Sequence, residues 1–296
     1  MTWTLTPSLE QFLGSAGDFL RAEPVLNTVL LTVCERLRDT GPAAFGDDPP
    51  RFGWHETVAG RPDAAFLQTP PYPLLTAPLP EGAATSLIAA LTAARLRPAS
   101  VNLQAPEAAE FAAAWRESGG GTATALLRSR LFVLGSLQPP DPPPAGAARL
   151  AGRDDYDLLI AWHEAFHDEA GLAADDPHRT VEARLSEGGL QLWEDGGLPV
   201  AMAAALPAVA GVARVAGVYT PPQSRRRGYG GGVTTAVTRA AVSAGAADVV
   251  LFTDQANPTS NALYQRLGYR PVTERIVLDL QAGDVTHPAA ASSSSA

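Results

Sequence analysis

The chain has 296 residues and no lysine, so all 22 of its basic side chains are arginines. Its 31 acidic residues give a formal net charge of −9 at pH 7. Proteins that coat nucleic acid or an anionic membrane need a broad positive surface. We therefore expect no nucleic-acid partner and no membrane partner. The net charge concerns the broad surface and allows one local basic site. The lack of lysine also excludes the nucleotide-binding loop G-x-x-x-x-G-K-S/T.

Cysteine and long apolar runs are also scarce. The single cysteine, Cys34, excludes an internal disulfide and a multi-cysteine metal site, and we expect it to pack in a helix. The longest uncharged apolar stretch, residues 198–213, is interrupted by Pro199, Pro207 and Gly211 and is too short to span a bilayer. Residues 1–10 lack the basic and apolar regions of a secretory signal. These features predict a soluble, cytoplasmic protein.

The chain has a globular composition, with 46% hydrophobic and 18% charged residues, and a run of prolines divides it near its middle. The segment 138–147 reads QPPDPPPAGA, which suits an extended spacer rather than a helix or a central strand. We predict an N-terminal domain of residues 1–137, a linker of residues 138–147 and a C-terminal domain of residues 148–281. Residues 282–296 end in AAASSSSA and are predicted to form a disordered tail.

Hydrophobic periodicity predicts a mixture of helices and strands in the C-terminal half. The last helix has Asn257 as its N-cap, Pro258 at its first position and Gly268 to close it in a left-handed turn. The predicted helices are residues 154–169, 179–186, 233–244 and 257–267. The predicted strands are residues 149–152, 190–193, 200–206, 212–219, 249–252 and 272–280.

The N-terminal half repeats this order more faintly. Its predicted helices are residues 9–20, 25–37, 83–94 and 106–117. Its predicted strands lie around Gly53, Phe66 and Leu74 and at residues 101–103 and 125–134. Because both halves end in the order strand, helix, strand, helix, strand, we predict a tandem duplication.

The most informative segment is residues 218–232, VYTPPQSRRRGYGGG, in which a predicted strand leads through three arginines into a glycine-rich helix start. Gly228 and Gly230 allow a ligand to approach the backbone closely, and a helix N-terminus offers unpaired N–H groups and the positive end of its dipole. The arginines at 225–227 add donors that suit phosphate oxygens. The segment therefore predicts a diphosphate site, with a solvated arginine run before an ordinary helix as the alternative.

Two motifs in this half resemble those of the GNAT acetyltransferase superfamily. Residues 225–230, RRRGYG, match its acetyl-CoA loop pattern Q/R-x-x-G-x-G/A, which that family places between its fourth strand and third helix. Residues 257–264, NPTSNALY, followed by LGY at 267–269, resemble its N-x-x-S-x-x-x-Y helix and its G-F/Y ending. The two motifs occur in the right order, and the resemblance covers residues 148–280.

The resemblance implies an α+β fold of two tandem acetyltransferase-like domains, each a mixed, mostly antiparallel sheet flanked by helices. It implies an N-acetyltransferase that passes an acetyl group directly from acetyl-CoA, its co-substrate, to a primary amine, without a metal. Tyr264 is the implied catalytic residue, which protonates the departing thiolate; an aromatic residue packed in the core is the alternative. The implied acetyl-CoA-binding residues are Val218, Tyr219, Thr220, Arg225, Arg226, Arg227, Gly228, Tyr229, Gly230, Asn257 and Ser260.

The acceptor is expected to be an amine-bearing small molecule or peptide, bound by a monomer or a homodimer. An amine with a pKa near 10.4 must lose a proton, which costs about 4.6 kcal/mol at neutral pH, so a base must help. Many members of the family carry a glutamate on the fourth strand, but residues 212–219 contain no carboxylate. Glu164, Glu194 and Asp254 are candidates only, and the base stays unassigned.

A competing motif lies at residues 163–167, HEAFH, which matches the H-E-x-x-H pattern of zinc hydrolases. On a helix it places His163 and His167 on one face, but nothing in the sequence marks the third ligand that zinc needs. A solvated face of histidine and glutamate, or a lining of the acceptor site, are the other interpretations. We predict no metal site and treat a zinc hydrolase as an alternative.

The N-terminal half lacks both acetyltransferase motifs. Its counterpart of the loop, residues 77–83, reads APLPEGA, without arginines or paired glycines, and Trp115 stands in the region of the tyrosine. We predict a degenerate domain that does not bind CoA and that shapes the acceptor cleft, with an unrelated helical cap as the alternative. For the whole chain, the alternative to an active transferase is a CoA-binding sensor or structural module without catalysis.

Overall fold

The computed structural model describes residues 2–171 and 176–281, and the predicted tail of residues 282–296 lies outside them. The N-terminal half contains β1 (Thr2–Thr6), α1 (Leu9–Ala22), α2 (Thr28–Thr40), β2 (Arg51–Glu56), β3 (Pro62–Gln68), β4 (Leu74–Thr76), α3 (Ala83–Ala93), β5 (Ser100–Gln104), α4 (Ala108–Glu117) and β6 (Thr122–Leu134). The C-terminal half contains β7 (Ala147–Leu150), α5 (Tyr156–Ala170), α6 (Pro177–Glu187), β8 (Leu190–Asp195), β9 (Leu198–Val209), β10 (Val212–Tyr219), α7 (Tyr229–Ser243), β11 (Asp248–Asp254), α8 (Pro258–Arg266) and β12 (Tyr269–Gln281). None of the helices in these described ranges has both the length and the apolar character that a membrane crossing requires.

Both halves end in the predicted order of strand, helix, strand, helix, strand, from β4 to β6 and from β10 to β12. The predicted cap of α8 is confirmed, because Asn257 Oδ1 accepts a hydrogen bond from the Ser260 amide at 3.0 Å. Gly268 follows this helix with a φ of +91°, as predicted. Cys34 is buried in α2, also as expected. Strand β1 was not predicted, because its five residues are too few for a clear period.

The strands form one twelve-stranded sheet in the order β1-β2-β3-β4-β5-β12-β6-β11-β10-β9-β8-β7. Only the pairs β4–β5 and β10–β11 are parallel among the described strands, so the sheet is mixed and mostly antiparallel, as predicted. The two halves are interleaved in this sheet. Strand β6 lies between β12 and β11, and β12 lies between β5 and β6. Each half therefore places its last strand beside the other half.

The strand order is the same on both sides of the antiparallel pair β6–β12, which indicates a pseudo-twofold axis through this pair. Ser129 lies opposite Arg275 at the centre of this pair. The register skips Leu126 in β6 and Val272 in β12, so the two strands have bulges at equivalent positions relative to the central pair. This symmetry supports the predicted duplication, whereas the boundaries at residues 137 and 148 stay a prediction.

Helices cover both faces of the sheet. In β9, Ala201 and Ala203 pack in a core with α7 and α8, whereas Met202 and Ala204 pack with α5 and α6. Because successive side chains of a strand point to opposite faces, α7 and α8 lie on one face and α5 and α6 on the other. The N-terminal half is layered in the same way, with α3 and α4 opposite α1 and α2.

The proline-rich segment packs against the C-terminal half. Residues 137–146 form no helix or strand. The Gln138 amide donates to the carbonyl of Leu267 at 2.9 Å, and Trp193 Nε1 donates to the carbonyl of Ala145 at 2.8 Å. The segment predicted as a spacer is therefore fixed along the end of α8 and strand β8 by hydrogen bonds.

The central strand β12 carries a buried arginine. Arg275 is 3% exposed, and its Nε donates to Asn102 Oδ1 at 2.8 Å. Its Nη2 donates to the carbonyls of Asn102 at 2.7 Å and Thr76 at 3.0 Å. Burial lowers the pKa of the guanidinium to about 10, while nearby Glu107 acts in the opposite direction. The side chain thus crosses β5 and ties β12 to β4.

We expect Arg275→Ala to lower the free energy of unfolding by about 3 kcal/mol, because buried oxygens of Asn102 and Thr76 lose their donor. Arg270→Ala is the matched control, since this arginine of the same strand is exposed, and it should change stability by less than about 0.5 kcal/mol. Urea unfolding curves measure both. Equal midpoints for the two variants would contradict the structural role assigned to Arg275.

Candidate active site

The parallel strands β10 and β11 separate at their carboxyl ends. Their pairing ends at Val215 and Leu251, whereas β10 continues to Tyr219 and β11 continues to Asp254. A cleft of about 730 Å³ lies at this opening. Strand backbone that borders a cleft offers a row of hydrogen-bond donors and acceptors to an extended ligand.

A β-bulge at Gly217 shapes the free end of β10. The register against β9 shifts between Ala216 and Tyr219, and Gly217 has a φ of +60°. Gly217 borders the cleft, and an added Cβ would lie 2.6 Å from Nη1 of Arg184 on α6. The positive φ favours glycine here, whereas the end of the Arg184 side chain could move to relieve the contact. An isolated glycine in a predicted strand is the signal by which the sequence marks such a bulge.

The predicted phosphate site lies at the N-terminus of α7, on the wall of the cleft. Gly228 caps the helix with a φ of +84°, and the helix begins at Tyr229, four residues before the predicted range of 233–244. An added Cβ on Gly230 would lie 3.4 Å from Thr220 Oγ1. The N–H groups in the first turn of a helix lack partners within the helix. In α7 these N–H groups border the cleft, so this part of the cleft is suited to bind an anion.

Two of the three arginines before α7 line the cleft. Arg225 Nε donates to the carbonyl of Thr220 at 2.9 Å, and its Nη2 donates to Glu169 on α5 at 2.5 Å. These bonds fix the guanidinium at the edge of the cleft, beside the ring of Tyr219. Arg226 also lines the cleft.

The third arginine, Arg227, has its side chain outside the cleft. It pairs with Asp195 at 3.1 Å and lies over the ring of Tyr229 at 4.9 Å from the centroid. The hydroxyl of Tyr229 also donates to Asp195. This cluster packs the start of α7 against β8, so a contribution of Arg227 to phosphate binding is limited to its backbone amide.

Tyr264 lies in the cleft on α8, 7% exposed and packed against Phe132 and Tyr269. Burial raises the pKa of its phenol above the usual value. Tyr264 therefore keeps its proton over a wide range of pH and remains a hydrogen-bond donor. Asn257 and Ser260, at the start of the same helix, also line the cleft.

Most residues assigned to the site from the sequence come together in this one cleft. Those that line it are Val218, Tyr219, Thr220, Arg225, Arg226, Gly228, Tyr229, Gly230, Asn257, Ser260 and Tyr264. The cleft is also lined by residues that the sequence motifs do not mark, namely Leu127 and Ser129 of β6, Phe166 and Glu169 of α5, and Phe252 of β11. Their presence depends on long-range strand pairing and on helix packing, which no local motif encodes.

One of the three carboxylates considered as a base lines the cleft. Asp254 ends β11, and its Oδ1 accepts a hydrogen bond from the Ala256 amide at 2.9 Å. Glu194 lies on β8 and accepts from Arg149 Nε at 2.6 Å. Glu164 is exposed on α5, and neither it nor Glu194 borders the cleft.

The HEAFH segment lies on α5. The rings of His163 and His167 are 4.3 Å apart, as residues four positions apart on a helix should be, and His163 is buried. Neither imidazole borders the cleft. Among residues 2–171 and 176–281, no group of three or more His, Cys, Asp and Glu side chains is arranged to hold a metal ion.

At the counterpart of the cleft in the N-terminal half, the backbone is bonded by charged side chains. Gly82 caps α3 with a φ of +79°, as α7 is capped. However, the guanidinium of Arg275 donates to the carbonyl of Thr76 at the end of β4. The carboxylate of Glu107 accepts from the Leu79 amide at 2.9 Å in the loop before α3. These contacts give a physical reason for the prediction that this half does not bind CoA.

Comparison with known proteins supports the resemblance found in the sequence. Residues 156–269 match the model of the acetyltransferase (GNAT) family. No curated protein matches the chain. A GCN5-related N-acetyltransferase from Kribbella flavida is 24% identical, with a TM-score of 0.52, over 75% of this chain and 88% of that one.

Two other solved structures match the chain over both halves. A GCN5-related N-acetyltransferase from Sphaerobacter thermophilus is 15% identical, with a TM-score of 0.60, over 93% of this chain and 94% of that one. A GNAT-family acetyltransferase from Colwellia psychrerythraea is 11% identical, with a TM-score of 0.59, over 95% and 100%. At these identities the matches show a shared fold.

The glycines of α7 give a matched test of how the proline-rich segment packs. A Cβ on Gly232 would lie 2.9 Å from Pro144 Cγ and 3.0 Å from the Trp193 ring, whereas Gly230 has more space. We expect Gly232→Ala to cost about 1–3 kcal/mol of stability through overpacking. Gly230→Ala should cost none, because alanine favours the helix. Thermal unfolding measures both, and equal losses would contradict the packing described.

Proposed function

We propose that the protein is an acyltransferase that transfers an acetyl group from acetyl-CoA directly to a primary amine, because residues 156–269 match the model of the acetyltransferase (GNAT) family. The reaction takes place in the cleft between β10 and β11. The observation that carries the proposal is that three parts meet in this one cleft: the free end of β10, the N-terminus of α7 and the Tyr264 side chain.

Acetyl-CoA binds along the cleft through backbone and charged groups. The pantetheine arm pairs with backbone groups of Val218, on the part of β10 that lies beyond its pairing with β11, and of Thr220, the first residue after this strand. The diphosphate takes the amides of residues 227–230, with the positive end of the α7 dipole behind them. The guanidinium groups of Arg225 and Arg226 add charge at the same place. Asn257 and Ser260 contact the arm from the start of α8.

Tyr264 supports the leaving group. As the amine nitrogen attacks the acetyl carbon, the carbon–sulfur bond breaks and negative charge develops on sulfur. With unperturbed values, a full proton transfer from a phenol of pKa near 10 to a thiolate of pKa near 8.5 is uphill by about 2 kcal/mol. Burial of Tyr264 raises its pKa further, so the phenol donates a hydrogen bond to the developing thiolate and does not transfer its proton completely. The thiolate then takes a proton from solvent and leaves as the CoA thiol.

Asp254 receives the amine. It is the one carboxylate among the three sequence candidates that reaches the cleft, and it lies at the end of the strand that borders the acetyl group. A carboxylate attracts the ammonium form of the acceptor and accepts its proton through water before attack. The acceptor is a small molecule or a peptide with a free amine.

The direct test is release of the CoA thiol from acetyl-CoA in the presence of a panel of amines, followed with a thiol reagent. We expect amine-dependent thiol release together with formation of the N-acetyl product, identified by mass spectrometry. Tight binding of CoA without turnover by any amine would contradict catalysis and favour a CoA-binding sensor.

Replacing the proposed donor should lower turnover and leave binding intact. We expect Tyr264→Phe to reduce kcat by about 10- to 100-fold, because the sulfur loses a hydrogen bond in the transition state, with the KM for acetyl-CoA unchanged. Tyr269→Phe is the control: this tyrosine is also buried, but its hydroxyl bonds Thr238 and it does not border the cleft. An unchanged kcat for Tyr264→Phe, or equal losses for both variants, would overturn the assignment.

The pH dependence follows from the direction of the Tyr264 shift. A donor acts while it is protonated, so its contribution is present below its pKa and is lost above it. That pKa is raised from the usual value near 10. We therefore expect kcat/KM to rise with pH as the amine loses its proton, and to show no decline at any pH below about 10. A decline that sets in between pH 7 and 9 and disappears in Tyr264→Phe would contradict this expectation.

A further inference from the structure

We propose that Leu127 and Ser129, which belong to the N-terminal half, determine the acceptor specificity of the C-terminal half, and that the acceptor is a primary amine carrying an apolar body. This proposal rests on the proposed function and deepens it. Both residues lie on β6, and both line the cleft. The degenerate half thus supplies part of the wall that meets the acceptor.

Strand pairing places these residues beside the proposed amine-binding carboxylate. Strand β6 runs antiparallel to β11, with Ser129 opposite Asp254 and Leu131 opposite Phe252. Residues that face each other across an antiparallel pair point to the same side of the sheet, so Ser129 shares a side with Asp254. Leu127 lies two residues from Ser129 along the strand and points to that side as well.

This side of the sheet is opposite to the one that carries α7 and α8. Leu251 packs in the core with Tyr264, so its neighbour Phe252 points to the other face, where it packs with Leu131 and Val250. Helix α5, which supplies Phe166, lies on that face too. Acetyl-CoA held at α7 and an acceptor on the α5 face would therefore meet where β10 and β11 separate.

The lining of this chamber favours one class of amine. Phe166, Phe252 and Leu127 contribute apolar surface from three different elements, and Phe166 packs against the ring of Tyr219 at 6.5 Å. Asp254 contributes the negative charge. An ammonium group needs the carboxylate, whereas an alkyl or aryl body gains from burial against the three apolar side chains. An arylalkylamine satisfies both requirements.

The other half shows that the position of Ser129 controls access. The pseudo-twofold axis exchanges Ser129 with Arg275, its partner at the centre of the β6–β12 pair. In the N-terminal half, Arg275 stands at the equivalent position, and its guanidinium donates to Thr76 and Asn102. Because Ser129 is small, the cleft in the C-terminal half remains open at this point.

The test compares two amines and two neighbouring leucines. Phenethylamine and ethylamine are the probes, assayed by thiol release with saturating acetyl-CoA. We expect wild-type kcat/KM to be at least about tenfold higher for phenethylamine, because its ring reaches the apolar chamber. Leu127→Phe, which fills the chamber, should reduce kcat/KM for phenethylamine by about tenfold or more and change that for ethylamine by less than about twofold. Ser129→Leu should act in the same direction.

Leu126→Phe is the matched control. Leu126 is the next residue of the strand, is 64% exposed and does not border the cleft, so this variant should retain both activities. The KM for acetyl-CoA and the melting temperature should be the same for Leu126→Phe and Leu127→Phe, which separates a specificity effect from a folding effect. Wild-type preference for ethylamine, or equal kinetics of the two leucine variants, would overturn this proposal while amine acetylation stands. Absence of thiol release with every amine would overturn the proposed function and this inference with it.

Discussion

The antiparallel pairing of β6 with β12 is the constraint on which the rest of the structure depends. Each of these strands is the last of its half, and each lies next to the parallel pair of the other half. The sheet is therefore continuous, and neither half has a complete set of neighbours without the other. Equivalent bulges at Leu126 and Val272 fix the register around the central pair of Ser129 and Arg275. Loss of this register would disturb both halves together.

The same geometry produces opposite results at the two parallel pairs. Ser129, from the central pair of β6 and β12, lies beside β10 and β11, where a cleft remains. Its partner Arg275 lies beside β4 and β5, where its guanidinium is bonded to backbone and amide oxygens. A buried cation held by such bonds is costly to displace, since its partners would lose their donor. The asymmetry of the two halves can thus be reduced to a few side chains on a nearly symmetric backbone, with Glu107 adding a negative charge where the other half has Asn257.

Much of the local structure, and the part of the candidate site at the starts of α7 and α8, could be predicted from the sequence. Periodicity located the helices and strands. The pattern from Arg225 to Gly230 located the start of α7, and Asn257 with the following proline located the start of α8. Such signals can be read from the sequence because a glycine at a left-handed cap and a proline after an N-cap act within a few residues. The interleaving of β6 and β12 could not be predicted from the sequence, since nothing local in β6 records which distant strand it pairs with. For that reason Leu127 and Ser129 were missed, and the cluster that takes Arg227 out of the cleft depends on Asp195, a residue of β8 that no motif marks.

The interleaving of β6 and β12 also explains why the N-terminal half must keep its structure although its own counterpart of the cleft is closed. Strand β6 pairs with β11 along five residues, and β11 carries Phe252 and Asp254 on the cleft side. If β6 were absent, β11 would have an exposed edge, and the part of the cleft wall formed by Leu127 and Ser129 would be missing. The N-terminal half must therefore keep β6 in register, and the buried bonds of Arg275 to β4 and β5 anchor the partner strand β12 that holds it there. The contacts that close one cleft thus help to keep the wall of the other in place.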